Sequence, residues 1–280
     1  MTGLEEKGPL GLNKLSATEA ANKIASGVIT SEALVRDCLL RIEAREPDIG
    51  AWKYIDPDYA LEQARALDNT PRKGLLHGIP VGIKDNLDTH DMPTEYGTSI
   101  YPGFRPDKDT ATVATLRITG AVILGKTITS EFAGPYPGPT LNPYDPSRTP
   151  GVSSMGSAAG VADYMMPLAN GTQTGGSVIR PAALCGIYGY KGSFNHLDGS
   201  GIRHIKPSID TLGHFARSLG DLELMRCALT GTEFAVLTSE TAVRPRIGIC
   251  RTDQWHAASL ETIKMIDICH TVLTDVGVSI

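Results

Sequence analysis

One lysine and three serines stand in contexts that could carry nucleophilic chemistry. Lys84 closes the apolar run Gly78-Ile79-Pro80-Val81-Gly82-Ile83. Ser153 and Ser154 lie within Thr149-Pro150-Gly151-Val152-Ser153-Ser154-Met155-Gly156-Ser157. Ser177 lies within Gly171-Thr172-Gln173-Thr174-Gly175-Gly176-Ser177-Val178-Ile179-Arg180-Pro181. A serine hydroxyl is a poor nucleophile until a base takes its proton, and the oxyanion that develops needs donors already in place. Gly175 and Gly176 carry no side chains, so backbone N–H groups there can approach a substrate carbonyl closely.

The base must come from elsewhere. No histidine lies in these motifs, and no Ser-x-x-Lys occurs in the chain. Lys84 is the candidate, provided that its amine is uncharged. Its ordinary pKa of about 10.4 would have to fall by roughly 3 units, about 4 kcal/mol, through burial. The apolar Ile79–Ile83 run would help. So would Gly151–Tyr190, whose only charges are Asp163 and Arg180. A carboxylate at Asp85 would oppose the shift if it faced Lys84, and it is expected to point away. Because Gly151–Tyr190 is rich in Gly, Ser and Thr, it reads as a buried, packed loop system.

A competing motif is set aside on context. Gly120-Ala121-Val122-Ile123-Leu124-Gly125-Lys126-Thr127 satisfies the phosphate-loop pattern letter for letter. That loop needs a preceding strand and free backbone amides. Here the preceding segment reads as helix, and the four middle residues are apolar and strand-like. A buried strand leading into a turn is the better reading.

Composition removes several function classes. Of 280 residues, 41% are hydrophobic, and the net charge is −5, so no basic footprint for nucleic acid is offered. No apolar run approaches the roughly 18 residues of a membrane span. Met1–Lys14 lacks the pattern of a signal peptide. Cys38, Cys185, Cys227, Cys250 and Cys269 are scattered without Cys-x-x-Cys, and no His-Glu-x-x-His occurs. A reducing, cytoplasmic setting with no metal is expected.

The positioning elements read as helices and apolar strands in alternation. Ser16 and Glu19 form a capping-box pattern before Ala20, Ala21 and Ile24. Leu34, Cys38 and Ile42 mark an amphipathic helix expected to end before Pro47. A third helix is predicted over 57–66. These make residues 1–70 a helical layer, and 71–280 the core. In that core the predicted elements are a strand ending at Lys84, a helix over 109–118, a strand at Ala121–Leu124, a strand over Arg246–Cys250 and a helix over 259–273. An α/β layered domain follows.

With these motifs in this order, the sequence resembles the amidase signature family over roughly Leu15–Val278. The Gly-Ile-Pro-x-Gly-Ile-Lys-Asp strand, the glycine/serine block, the Gly-Thr-x-Thr-Gly-Gly-Ser segment and the Ser153-to-Ser177 spacing carry the likeness. The resemblance implies an α/β fold with a mixed central sheet covered by helices. It also implies a chain shorter at its C-terminus than related domains. It further implies a Ser-Ser-Lys triad: Ser177 as nucleophile, Ser153 as a bridging serine held through a cis peptide, Lys84 as base. Thr174, Gly175, Gly176 and Ser177 would form the oxyanion hole, and Ser154 would hold the network. Val152, Met155, Gln173 and Arg180 depart from the commonest pattern. Arg180 is a structural ion-pair partner, a carbonyl-capping group or a holder of a substrate carboxylate. Asn170-Gly171-Thr172 is read as an incidental sequon.

The expected partner is a small amide, with no cofactor, nucleic acid or membrane; a homodimer stays open. Three functions remain in view: a carbon–nitrogen hydrolase working through an acyl-enzyme, a glutaminase-type amidotransferase subunit, and a shortened, non-catalytic relative.

Overall fold

The computed structural model describes residues 10–236 and 245–280. The chain divides into two units, Met1–Ala235 and Val236–Ile280.

In the first unit the capping box forms as the sequence predicts. The Ser16 hydroxyl accepts the Glu19 N–H, and the Glu19 carboxylate accepts the Ser16 N–H, opening α1 (Ala17–Ala25). The next helix, α2 (Ser31–Ile49), buries Leu34, Val35, Cys38, Leu39 and Ile42. It does not end before Pro47. It runs through that proline and stops at Gly50, whose φ of 62° is left-handed. A proline in the last turn removes only one intrahelical bond there. The Glu46 carboxylate then accepts the N–H groups of Ala51 and Trp52, both at 2.8 Å, and ties the helix end to β1 (Trp52–Ile55). Asp56 caps α3 (Pro57–Asp68) by accepting the Tyr59 N–H.

The remaining elements of this unit are β2 (Pro80–Lys84), α4 (Ala111–Ile118), β3 (Val122–Thr127), α5 (Met155–Ala162), β4 (Leu168–Gln173), α6 (Ile179–Leu184), β5 (Tyr188–Lys191), β6 (Thr211–Ala216) and α7 (Leu219–Thr230). The strands form one mixed six-stranded sheet in the order β1-β3-β2-β4-β6-β5. β2 runs parallel to both β3 and β4, and the other pairs are antiparallel. Two parallel neighbours end at the same edge, so the end of β2 at Lys84 lies beside the end of β4. Val81, Ile83, Ile123, Leu168 and Phe215 are fully buried. Each contributes roughly 1.5–3 kcal/mol of burial.

Two expectations are corrected. The Gly151–Tyr190 region is not a loop system: it is α5, β4, α6 and the short edge strand β5. Small residues serve close approach of regular elements here. A Cβ on Gly156 would lie 2.3 Å from the Ala51 carbonyl oxygen and 2.5 Å from the Ile128 nitrogen. All of α5 is buried, while Ile179, Leu184 and Tyr188 are exposed. The second correction concerns the second unit. Arg246–Cys250 forms no strand, only a parallel bridge from Arg246 to Ser279, with the Ile247 N–H donating to the Ser279 carbonyl at 2.9 Å. A ladder needs a facing strand, and among the described residues of this unit there is none. Its helix, α8 (Leu260–Asp275), forms close to the predicted range, with Ser259 as cap.

The phosphate-loop look-alike is the buried strand β3. Every residue from Val122 to Thr127 is buried, including Lys126.

Candidate active site

Lys84 is the last residue of β2, and its side chain is wholly buried. Its Nζ lies 2.8 Å from Ser153 Oγ, 2.9 Å from Thr172 Oγ1 and 3.4 Å from the Thr172 carbonyl oxygen. No carboxylate forms an ion pair with it among the described residues. Burial pushes its pKa well below the ordinary lysine value, and the more distant Asp210 offsets this in part. A neutral amine offers two N–H donors and one lone pair. The Thr172 carbonyl can only accept, so it and Thr172 Oγ1 take the two donors, leaving the lone pair for the Ser153 hydroxyl. Three contacts thus satisfy an uncharged Lys84 completely.

Asp85 is inward but faces the other way, as strand alternation requires. Its Oδ1 is 3.2 Å from Lys126 Nζ, and its Oδ2 accepts the Glu95 N–H at 3.1 Å. Lys126, also wholly buried, donates to Thr94 Oγ1 and to the Pro93 carbonyl.

Ser153 precedes α5 and is 1% exposed; among the described residues its one side-chain bond is to Lys84. Ser154 is fully buried and donates its hydroxyl to the Thr172 carbonyl at 3.2 Å. Ser177 follows the end of β4 and is 7% exposed, and its hydroxyl makes no hydrogen bond among the described residues. The structure therefore joins Lys84 to Ser153 and leaves Ser177 unlinked. All peptide bonds among the described residues are trans, including those at Ser153, where the resemblance implies a cis bond.

The turn before Ser177 is built for exposed donors. Gly176 has a φ of 113°, which a side chain would strain. The N–H groups of Gly175, Gly176 and Ser177 have no hydrogen-bond partner among the described residues. Those of Val178 and Ile179 donate to Gln173 Oε1 at 2.8 and 3.0 Å, so the Gln173 departure caps α6 with a neutral amide. Thr174 commits its hydroxyl to Asp210. Arg180 is exposed and donates to the Gly175 carbonyl at 3.3 Å, the carbonyl-capping option. Met155 is turned away, its sulfur packing where a Cβ on Gly138 would meet it at 2.9 Å.

A cavity of about 680 Å³ adjoins this edge, with Asn86, Thr172, Thr174 and Asp210 in its wall. Four polar residues here escape the sequence reading. Asn86 donates to Thr172 Oγ1 at 2.9 Å, and Asn170 Oδ1 accepts the Lys84 N–H at 3.0 Å. The available signal was the period of two: Asn170 and Thr172 are polar at alternate positions of a buried strand. Asn170 is fully buried, consistent with an incidental sequon. Asp210 carries no sequence signal, because the fold alone brings it near Lys84.

Comparison with known proteins decides the family. The family model described as Amidase matches residues 33–280. The chain belongs to the amidase family. It is 40% identical over 231 residues to a glutamyl-tRNA(Gln) amidotransferase subunit of Chloroflexus aggregans, covering 79% of this chain and 47% of that protein. Among solved structures, one described as an amidase superposes with a TM-score of 0.82 at 29% identity, covering 95% of this chain and 62% of that one. The native peptide amidase of Stenotrophomonas maltophilia gives a TM-score of 0.72 at 34% identity, covering 79% and 48%. The chain spans about half the length of the curated relatives it matches. Mixed sheet, helical cover and family agree with the sequence expectation. No helix among the described residues is long and apolar enough to cross a membrane.

Proposed function

We propose that this chain carries the acylating site of a carbon–nitrogen hydrolase acting on small carboxamides. The observation that supports it most is the buried amine of Lys84, without an ion pair among the described residues, at 2.8 Å from Ser153 Oγ. With its proton committed to Lys84, the Ser153 oxygen is free to accept from Ser177 once a substrate seats there. Catalytic hydrogen bonds in unliganded sites commonly close only in the complex. Ser177 then attacks the amide carbonyl as its proton passes to Ser153 and the Ser153 proton passes to Lys84. The N–H groups of the Thr174–Ser177 turn receive the oxyanion. The Lys84 proton returns through Ser153 to the departing amine, leaving an acyl-enzyme for water to cleave. Ser154 and Arg180 act at one remove, through the carbonyls of Thr172 and Gly175.

The likeness to the glutamyl-tRNA(Gln) amidotransferase chain favours a second reading, a glutaminase that hands ammonia to a partner. Five free thiols fit the cytoplasm for either reading. A fluorophosphonate probe tests the site directly. The full chain should be labelled at Ser177, and Ser177→Ala and Lys84→Met should both abolish labelling. A folded chain that stays unlabelled favours the non-catalytic relative. Release of ammonia from glutamine in preference to simple amides, with other subunits co-purifying, favours the glutaminase.

A further inference from the structure

The wall of the cavity beside the Ser177 turn contains one guanidinium, that of Arg203. Its Cζ lies 4.8 Å from the ring centroid of Phe132 and 5.1 Å from those of Tyr96 and Tyr101. Cation–π attraction orients the group and shields its faces. Its edges are a different matter. Arg203 forms no ion pair and no hydrogen bond among the described residues, so the donors of its planar fork are uncommitted.

The rings that hold it are placed at a conformational cost. Tyr96 and Phe132 are non-glycine residues in left-handed backbone, with φ of 55° and 48°. Such outliers persist where the surroundings over-determine them, and they gather at functional sites. They are also tied to the end of β2. The Tyr96 N–H donates to the Asp85 carbonyl at 3.0 Å, and the Phe132 N–H donates to the Tyr96 carbonyl at 2.8 Å. A short hydrogen-bonded path thus runs from the residue after Lys84 to the cradle of Arg203.

No nearby acid forms an ion pair with the guanidinium among the described residues, though Asp88 feels its charge. Asp88 Oδ1 accepts the Tyr96 hydroxyl at 2.7 Å. Asp210 accepts the Thr174 hydroxyl and the N–H groups of Ile205 and Lys206, with His204 Nδ1 at 3.4 Å. Asp198 accepts the Ser200 N–H. An exposed, ring-held fork in the cavity wall, with no ion pair or hydrogen bond among the described residues, suits a planar carboxylate, which takes two parallel N–H bonds.

We propose that Arg203 determines specificity by receiving the carboxylate of an amide substrate that is acidic at its far end. The assignment rests on the amidase reading above. Arg180, already on the Gly175 carbonyl, steadies the turn instead.

Binding is measured by calorimetry in the full chain carrying Ser177→Ala, so that turnover does not intervene. Succinamate and butyramide serve as probes, differing in the terminal carboxylate. Succinamate should bind at least about tenfold tighter, with an advantage that shrinks as salt is raised. Arg203→Met should collapse the ratio of the two dissociation constants toward one. Tyr101→Leu, which loosens the cradle and keeps the charge, should reduce it part-way. Equal affinities in the parent chain, binding of neither amide, or a preference that survives Arg203→Met overturns the proposal. A preference abolished by Arg180→Met and untouched by Arg203→Met also overturns it. Turnover is read separately with Ser177 intact. Hydrolysis without the preference removes only the Arg203 assignment, whereas a preference without hydrolysis removes the amidase reading and leaves an anion site.

Discussion

Asp85 turns its carboxylate to Lys126, 3.2 Å away, and not to Lys84, its neighbour in sequence. Two wholly buried lysines on adjacent parallel strands are told apart by that one choice. Lys126 has a counter-ion, whereas Lys84 has hydroxyls and a carbonyl. Removing the carboxylate would leave the Lys126 ammonium buried and unpaired. Asp85→Asn should therefore lower stability by about 3–5 kcal/mol, measured by urea denaturation.

The lowered pKa of Lys84 sets the pH response. Labelling of Ser177 should fall away on the acid side, as pH drops through that lowered pKa and the amine gains a proton. Asp210 raises the Lys84 pKa, so Asp210→Asn should move this limb to lower pH. Stability has a matching sign. Between the folded and the ordinary lysine pKa, the unfolded chain holds a proton that the folded chain has released, so stability rises with pH. Compared with Lys84→Met, the parent chain should gain stability steadily as pH rises from the lowered pKa toward about 10; a flat difference would show that Lys84 is charged when folded.

Thr172 Oγ1 accepts from both Lys84 and Asn86, at 2.9 Å each. Thr172→Val keeps the shape and strands two buried donors. A loss of about 1–3 kcal/mol is expected in chemical denaturation, together with slower labelling. Thr172→Ser should restore both.

Glycine spacing between α5 and its neighbours tolerates no methyl group. Gly156→Ala would drive a Cβ against the backbone of Ala51 and Ile128, which cannot rotate aside. A cost of about 1–3 kcal/mol or more is expected, read as a lower Tm. Gly175→Ala meets nothing within 4 Å and should leave the Tm unchanged.

His214 is buried, with Nε2 donating to the Leu222 carbonyl at 2.9 Å, and burial depresses its pKa to about 4. Above pH 6.5 it is neutral, folded or unfolded, and contributes no slope. From pH 6.5 down to about 4 only the unfolded chain takes up the proton, and stability should fall by about 1.4 kcal/mol per pH unit. His214→Phe should flatten that slope in acid denaturation curves.

Local signals in the sequence were reliable wherever one segment determines the outcome. The capping box at Ser16 and Glu19, the apolar strand ending at Lys84, the rejection of Gly120–Thr127 as a phosphate loop and the helix after Ser259 all follow from spacing and side-chain type. Pro47 misled, because a proline late in a helix costs little when a following glycine and a carboxylate close the end. The glycine- and serine-rich stretch misled because small residues fit tight helix–strand contacts as well as they fit loops. Arg246–Cys250 is apolar enough for a strand, but a strand exists only when another edge pairs with it.

The sequence by itself determined which residues could act: an amine at the end of an apolar strand, two serines in a glycine- and serine-rich block, and a serine after two glycines. Their types and order also placed the chain in its family. Only the tertiary structure decided that the Lys84 pKa is lowered, because its burial and the Thr172 hydroxyl depend on a strand distant in sequence, and the direction of Asp85 depends on Lys126. It also decided that Arg203 stands among three rings with no hydrogen bond or ion pair among the described residues. Interaction energies depend on distance and on the surrounding dielectric, and neither is a property of a residue until the chain has folded.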